Sequence, residues 1–159
     1  MLRAVPEAIR LGRMPAAAEV PVPVQGVRAG RIADTWGGAR SGGRLHQGTD
    51  IFATRGTPVL SATRGIVARI GESGIGGKHA WVLGPGGERH YYAHLDAWAP
   101  GLHQYQVLQA GDLLGVVGDT GNARGTPPHL HYGIYGSAGP TNPHPRLVDA
   151  TDPPFTATR

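Results

Sequence analysis

Eight histidines and no cysteine set the terms for any metal or proton chemistry in this chain, because a bound ion would have to be held by His, Asp or Glu. Two of the histidines lie two residues apart in Pro127-Pro128-His129-Leu130-His131-Tyr132-Gly133-Ile134-Tyr135. On a strand, residues i and i+2 point to the same face, so His129, His131, Gly133 and Tyr135 share one side, and Leu130, Tyr132 and Ile134 share the other. Two imidazoles about 7 Å apart along a strand can meet at one ion, or one can bind it while its neighbour handles protons beside it. Taken alone, the pair is equally compatible with two half-exposed histidines on an edge strand.

Far upstream, His46 precedes Asp50 by four positions in Arg44-Leu45-His46-Gln47-Gly48-Thr49-Asp50. That offset puts both side chains on one face of a helix or a strand. On a fully extended strand their Cα atoms would stand roughly 13 Å apart, which strains a pair of ligands to a common ion, and Gly48 between them permits a bend that shortens the gap. His46, Asp50 and one histidine of the later pair would supply two nitrogens and a carboxylate oxygen, a set that suits Zn²⁺ with a fourth position left for water. A third alternating run, Arg89-His90-Tyr91-Tyr92-Ala93-His94-Leu95, places His90, Tyr92 and His94 on one face and makes His94 a candidate for the same cleft.

The ordered set His46-x-x-x-Asp50, Tyr92-Ala93-His94-Leu95 and His129-Leu130-His131 resembles the LytM/lysostaphin-type zinc endopeptidases of the M23 peptidase family. The resemblance runs from about Thr35 to Tyr135 and takes in Gly56-Thr57-Pro58-Val59, Gly65-Ile66-Val67 and the stretch from Gly111 to Gly121. It implies antiparallel sheets of the duplicated hybrid motif type, with glycine-rich loops around a groove. It implies His46, Asp50 and His131 as Zn²⁺ ligands, and His94 and His129 as unligated catalytic residues. The activity implied is hydrolysis of peptide bonds in peptidoglycan stem or cross-bridge peptides, by attack of zinc-bound water with histidine acid/base assistance, in the cell envelope. Relatives that have lost ligands act as non-catalytic wall-binding regulators, an alternative that the filled ligand positions here disfavour. A lipoyl or biotinyl carrier shares the glycine-valine strands, but Lys78, the single lysine, lacks the flanking methionine of such a carrier's tip.

The elements that must position these residues are short. With 26 glycines and 14 prolines in 159 residues, long helices are disfavoured and strands joined by tight turns are expected, giving an all-β or β-dominated domain. Strands are predicted at Val59–Ala62 and Gly65–Ile70, and a hairpin from His79 to Leu95 turning on Gly84-Pro85-Gly86-Gly87. The domain is predicted over 25–138, between an extended tail or linker over 1–24, carrying a short helix at Pro6 to Leu11, and a Pro-rich tail over 139–159. The first fifteen residues or so read as a poorly ordered tail.

The formal net charge of +4 carries no dense Lys/Arg run interleaved with Trp36, Trp81 or Trp98, so nucleic acid is not an expected partner. Met1 to Val24, interrupted by Arg3, Glu7, Arg10 and Arg13, holds no apolar run long enough for a signal sequence or a membrane span. Arg40 and Arg44 stand in the glycine-rich loop that delivers His46, where they could steer carboxylates of a stem peptide or simply be solvated.

Overall fold

A computed structural model of the protein describes residues 1–150; the end of the Pro-rich tail expected over 139–159 lies outside the described residues. Its centre is an antiparallel sheet of nine strands. In chain order, β1 (Val20–Pro21) precedes β2 (Thr49–Phe52), β3 (Pro58–Leu60), β4 (Gly65–Ser73), β5 (Gly77–Leu83) and β6 (Arg89–Trp98). The chain continues through β7 (Val107–Leu108), β8 (Leu113–Val117), β9 (His129–Gly136), β10 (Gly139–Thr141) and β11 (Leu147–Val148). The main path of the sheet runs β10-β9-β6-β5-β4-β7, with β2 on β9 and β8 bridging β3 and β6.

Strand β9 carries the alternation expected of it. Leu130, Tyr132 and Ile134 are fully buried in the hydrophobic core with Ile51, Val82, Tyr92 and Leu95, whereas His129, His131 and Tyr135 line a groove. Each fully buried aliphatic side chain of this kind contributes about 1.5–3 kcal/mol, which fixes the register and hence which face the histidines occupy. The hairpin of β5 and β6 turns on Gly84 to Gly87, with Gly86 and Gly87 at φ +72° and +73°, conformations that L side chains rarely adopt.

The first segment differs from the extended tail expected of it. Ala4–Arg13 form a helix, α1, whose Ala4 and Leu11 are buried against Ile66 and whose Glu7 pairs with Arg64 at 2.7 Å. The helical stretch anticipated at Pro6 to Leu11 is thus part of a longer docked element. Val20, Val22 and Val24 enter the main core, and β1 pairs in parallel with β11. Apolar burial at alternate residues explains why this Pro-spaced stretch, a poor ladder former, nevertheless lies along the domain. Residues 139–148, expected as tail, contribute β10 and β11, and Arg146 clasps Glu88 through both carboxylate oxygens and donates to the carbonyl of Ala17.

Candidate active site

Strand register alone brings two of the candidate residues together. β2 pairs antiparallel with β9 so that Asp50 lies directly opposite His131 and Phe52 opposite His129, while on the other side of β9 Ala93 of β6 lies opposite His131. His46 comes from the loop before β2. Its Nε2 lies 3.0 Å from Asp50 Oδ1 and 3.1 Å from His131 Nδ1, and His131 Nδ1 lies 3.2 Å from the same Asp50 oxygen.

Gly48 lies just before β2 and outside the left-handed region, so its φ does not account for glycine there. Its missing side chain matters instead: a Cβ there would stand 2.6 Å from His131 Cε1, 2.7 Å from His131 Nε2 and 2.7 Å from the carbonyl oxygen of Tyr132. Glycine at this position makes room for the His131 ring.

The proton positions follow from the outer contacts. His46 Nδ1 meets the carbonyl oxygen of Thr35 at 3.0 Å, an acceptor only, so Nδ1 carries the hydrogen and Nε2 turns a lone pair inward. Two acceptors, His46 Nε2 and Asp50 Oδ1, therefore converge with His131 Nδ1, a crowd that a proton on His131 or a metal ion would relieve. Donors around tetrahedral zinc, with bonds of about 2.0–2.2 Å, sit roughly 3.3 Å apart. The observed 3.0–3.2 Å spacings, the mixed nitrogen and carboxylate set, and the outer anchor on His46 fit that ion.

Burial pushes the Asp50 carboxyl up, but contacts from His131 and His46 outweigh it and hold the group well below the ordinary carboxylate range. Burial lowers His131 below its usual value. Arg40 Nη2 donates to the second oxygen of Asp50, Oδ2, at 3.2 Å, so the two oxygens are divided between the cluster and the guanidinium.

His129 and His94 flank the cluster. His129 Nδ1 donates to the carbonyl of Pro127 at 2.9 Å and His94 Nδ1 to that of Thr120 at 2.8 Å, which leaves each Nε2 unprotonated in the neutral ring. The two rings stand 5.0 Å apart between centroids, and His129 Nε2 is 3.9 Å from Asp50 Oδ1. Burial lowers the His94 pKa to about 4, against the opposing pull of the Thr120 carbonyl.

Strict alternation would have put His94 in the core with His90 and Tyr92. Instead, β6 carries a bulge: the register with β5 shifts between Lys78, opposite Leu95, and Ala80, opposite Tyr92, and His94 adopts φ +63°. The bulge turns His94 into the groove beside Ala93 and Tyr91. His90 stays in the core, fully buried, with Nδ1 2.6 Å from the Tyr132 hydroxyl. The face shared by His90 and His94 in the sequence pattern is therefore split in the fold.

Two positioning residues escape a reading by motif. Thr35 holds His46 from a position eleven residues away. Thr120 holds His94 through its carbonyl, while its Oγ1 accepts from Lys78 N and donates to the carbonyl of Leu95, tying down both sides of the bulge. Only the polar character of the Gly118 to Thr126 loop hinted at such a part.

A sequence model of Peptidase family M23 matches residues 44–143, a span that contains His46, Asp50, His94, His129 and His131. The chain belongs to peptidase family M23. Within that family it is 40% identical over 124 residues to the L-Ala--D-Glu endopeptidase of Bacillus subtilis (strain 168), an alignment covering 71% of this chain and 38% of the Bacillus protein. It is 33% identical over 138 residues to the DD-carboxypeptidase/endopeptidase Mpg of Neisseria meningitidis, covering 83% of this chain and 29% of that protein. The M23 chain thus spans well under half the length of these relatives. Among solved structures it resembles the catalytic domain of the antimicrobial peptidase lysostaphin from Staphylococcus simulans at a TM-score of 0.64 and 28% identity, covering 72% of this chain and 90% of that one. Helicobacter pylori Csd3 superposes at a TM-score of 0.66 and 30% identity, covering 83% of this chain and 35% of that one.

Proposed function

We propose that this M23 domain is a zinc endopeptidase that cuts peptide bonds in peptidoglycan stem or cross-bridge peptides. The observation that carries the reading is the convergence of His46 Nε2, Asp50 Oδ1 and His131 Nδ1 within 3.2 Å of one another beside two further histidines with free Nε2 atoms. Names of the relatives, L-Ala--D-Glu endopeptidase and lysostaphin among them, support a wall peptide as substrate and the cell envelope as the place of action. Among the described residues no helix is long and apolar enough to cross a membrane.

His46, Asp50 and His131 would hold the ion through those three atoms. Zn²⁺ in such a site supplies Lewis acidity, lowering the pKa of a water from about 15.7 towards about 7. Thr35 fixes the His46 tautomer, and Arg40 confines Asp50 to one inward oxygen. His129 and His94, held by backbone carbonyls, each present a lone pair at Nε2. One takes up the proton released from water and returns it to the departing amine; the other, once protonated, donates to the oxyanion. The two histidines do the work that a glutamate base would otherwise do.

The peptide lies in a groove of about 700 Å³ that runs past the cluster between the loop carrying Arg40 and Arg44 and the loop around Asn122 and Thr126. The experiment is digestion of purified peptidoglycan by zinc-loaded protein, with new amino termini identified by mass spectrometry. New termini at stem or bridge positions are expected. Intact material under conditions where the protein holds zinc contradicts the proposal.

A further inference from the structure

The walls of the groove are unequal in charge. Among the described residues, Asp50 is the one carboxylate that lines it, and that carboxylate is committed to the His46 and His131 cluster. Facing it are two arginines from the same loop, Arg40 and Arg44, with Ser41 between them. The lining also includes Phe52 and Ile75, each more than half exposed.

The two guanidiniums are held differently. Arg40 reaches Asp50 Oδ2 with Nη2 and the carbonyl of Ala39 with Nη1. Arg44 is folded onto neutral groups only: Nε donates to the carbonyl of Ser41 at 3.1 Å and Nη2 to Ser41 Oγ at 3.1 Å. These contacts orient the Arg44 fork without neutralising it, and no carboxylate of the described residues forms an ion pair with it. A divalent cation on Asp50 sharpens the imbalance, since Arg40 then shares its only carboxylate with two further positive charges. The loop side of the loaded groove is a cationic wall that favours a bound anion, and a planar guanidinium suits a carboxylate in two-point contact.

We propose that Arg44, with Arg40 beside it, is a carboxylate-recognising subsite, so that the groove selects stem-peptide segments bearing a free carboxylate next to the cut bond over neutral bridges such as oligoglycine. The inference rests on the hydrolase reading above and names the substrate class of that same site.

The test compares two synthetic stem peptides that differ in one group, a carboxyl next to the cut bond that is free in one and a carboxamide in the other. They are assayed with zinc-loaded full chain alongside purified peptidoglycan. The wild-type protein is expected to favour the free acid by about tenfold or more in kcat/KM, mainly through KM, as a charge-assisted contact requires. Arg44→Gln brings the ratio towards one, Arg44→Glu inverts it, and Arg44→Lys keeps part of it. Arg44 is exposed, and matching far-ultraviolet circular dichroism of each variant shows that it folds. A protein that digests peptidoglycan yet cuts both peptides equally overturns the subsite and leaves hydrolysis standing, as does an Arg44→Gln ratio equal to that of wild type. A protein that digests nothing overturns both.

Discussion

At the scale of single residues, the proposed function separates atoms that would hold a cation from atoms that would handle protons. His46, Asp50 and His131 share one centre, whereas His94 and His129 are pinned through Nδ1 to carbonyls outside it. His94→Ala should therefore retain zinc at the wild-type level, read by elemental analysis, while kcat falls by about 10²–10⁴-fold, the range for loss of a positioned acid or base. Loss of zinc in that variant would place His94 among the ligands instead. Gly48 acts by having no side chain. Gly48→Ala sets a Cβ against the His131 ring and the Tyr132 carbonyl, and because the backbone oxygen cannot swing away the ring must. Zinc affinity, measured by competition with a chromophoric chelator, is expected to drop on the order of ten- to a hundredfold, as when an orienting contact to a ligand is lost.

At the scale of elements, β9 was legible in the sequence because its period of two survives in the fold: Leu130, Tyr132 and Ile134 go inward, and His129 and His131 face the groove. The same rule applied to β6 fails at one residue. A bulge adds a residue without changing the alternation of types around it, so nothing in Tyr92-Ala93-His94-Leu95 announces that His94 leaves the face of His90. The helix α1 was only partly legible, because Pro6 and two glycine-spaced arginines weaken its pattern while Leu11, buried against a strand distant in sequence, decides it. The bulge also depends on the loop after β8. Gly77 sits at φ +59°, and a Cβ there would lie 2.3 Å from Thr120 Oγ1 and 2.5 Å from Gly121 N. Gly77→Ala is expected to destabilise the fold by about 1–3 kcal/mol, seen as a lower urea midpoint, and to reduce turnover through misplacement of His94.

At the scale of the whole molecule, one buried histidine outside the site links stability to acidity. Burial lowers His90 from 6.5 to about 4, with Glu88 pulling the other way and Arg146 reinforcing it. Between these two values the unfolded chain binds the proton and the folded chain does not, so stability is greatest above about pH 6.5 and declines as pH falls towards 4. The loss from this group is on the order of 3 kcal/mol, and urea unfolding at pH 7 and pH 4.5 in the presence of chelator should show it, together with the share of His94, which burial also lowers to about 4, without contribution from metal release. The double variant His90→Leu with Tyr132→Phe, which removes both partners of the buried hydrogen bond, should lose the His90 share of the slope. The fold otherwise serves to bring the distant segments of His46 and Asp50 and of His131 to one centre, and that convergence is tested most directly by metal-dependent turnover. Stem-peptide cleavage should vanish after chelation, return with one equivalent of zinc in the wild-type protein, and fail to return in Asp50→Ala. Cleavage that persists in the stripped protein, or that zinc restores equally in Asp50→Ala, would contradict the account.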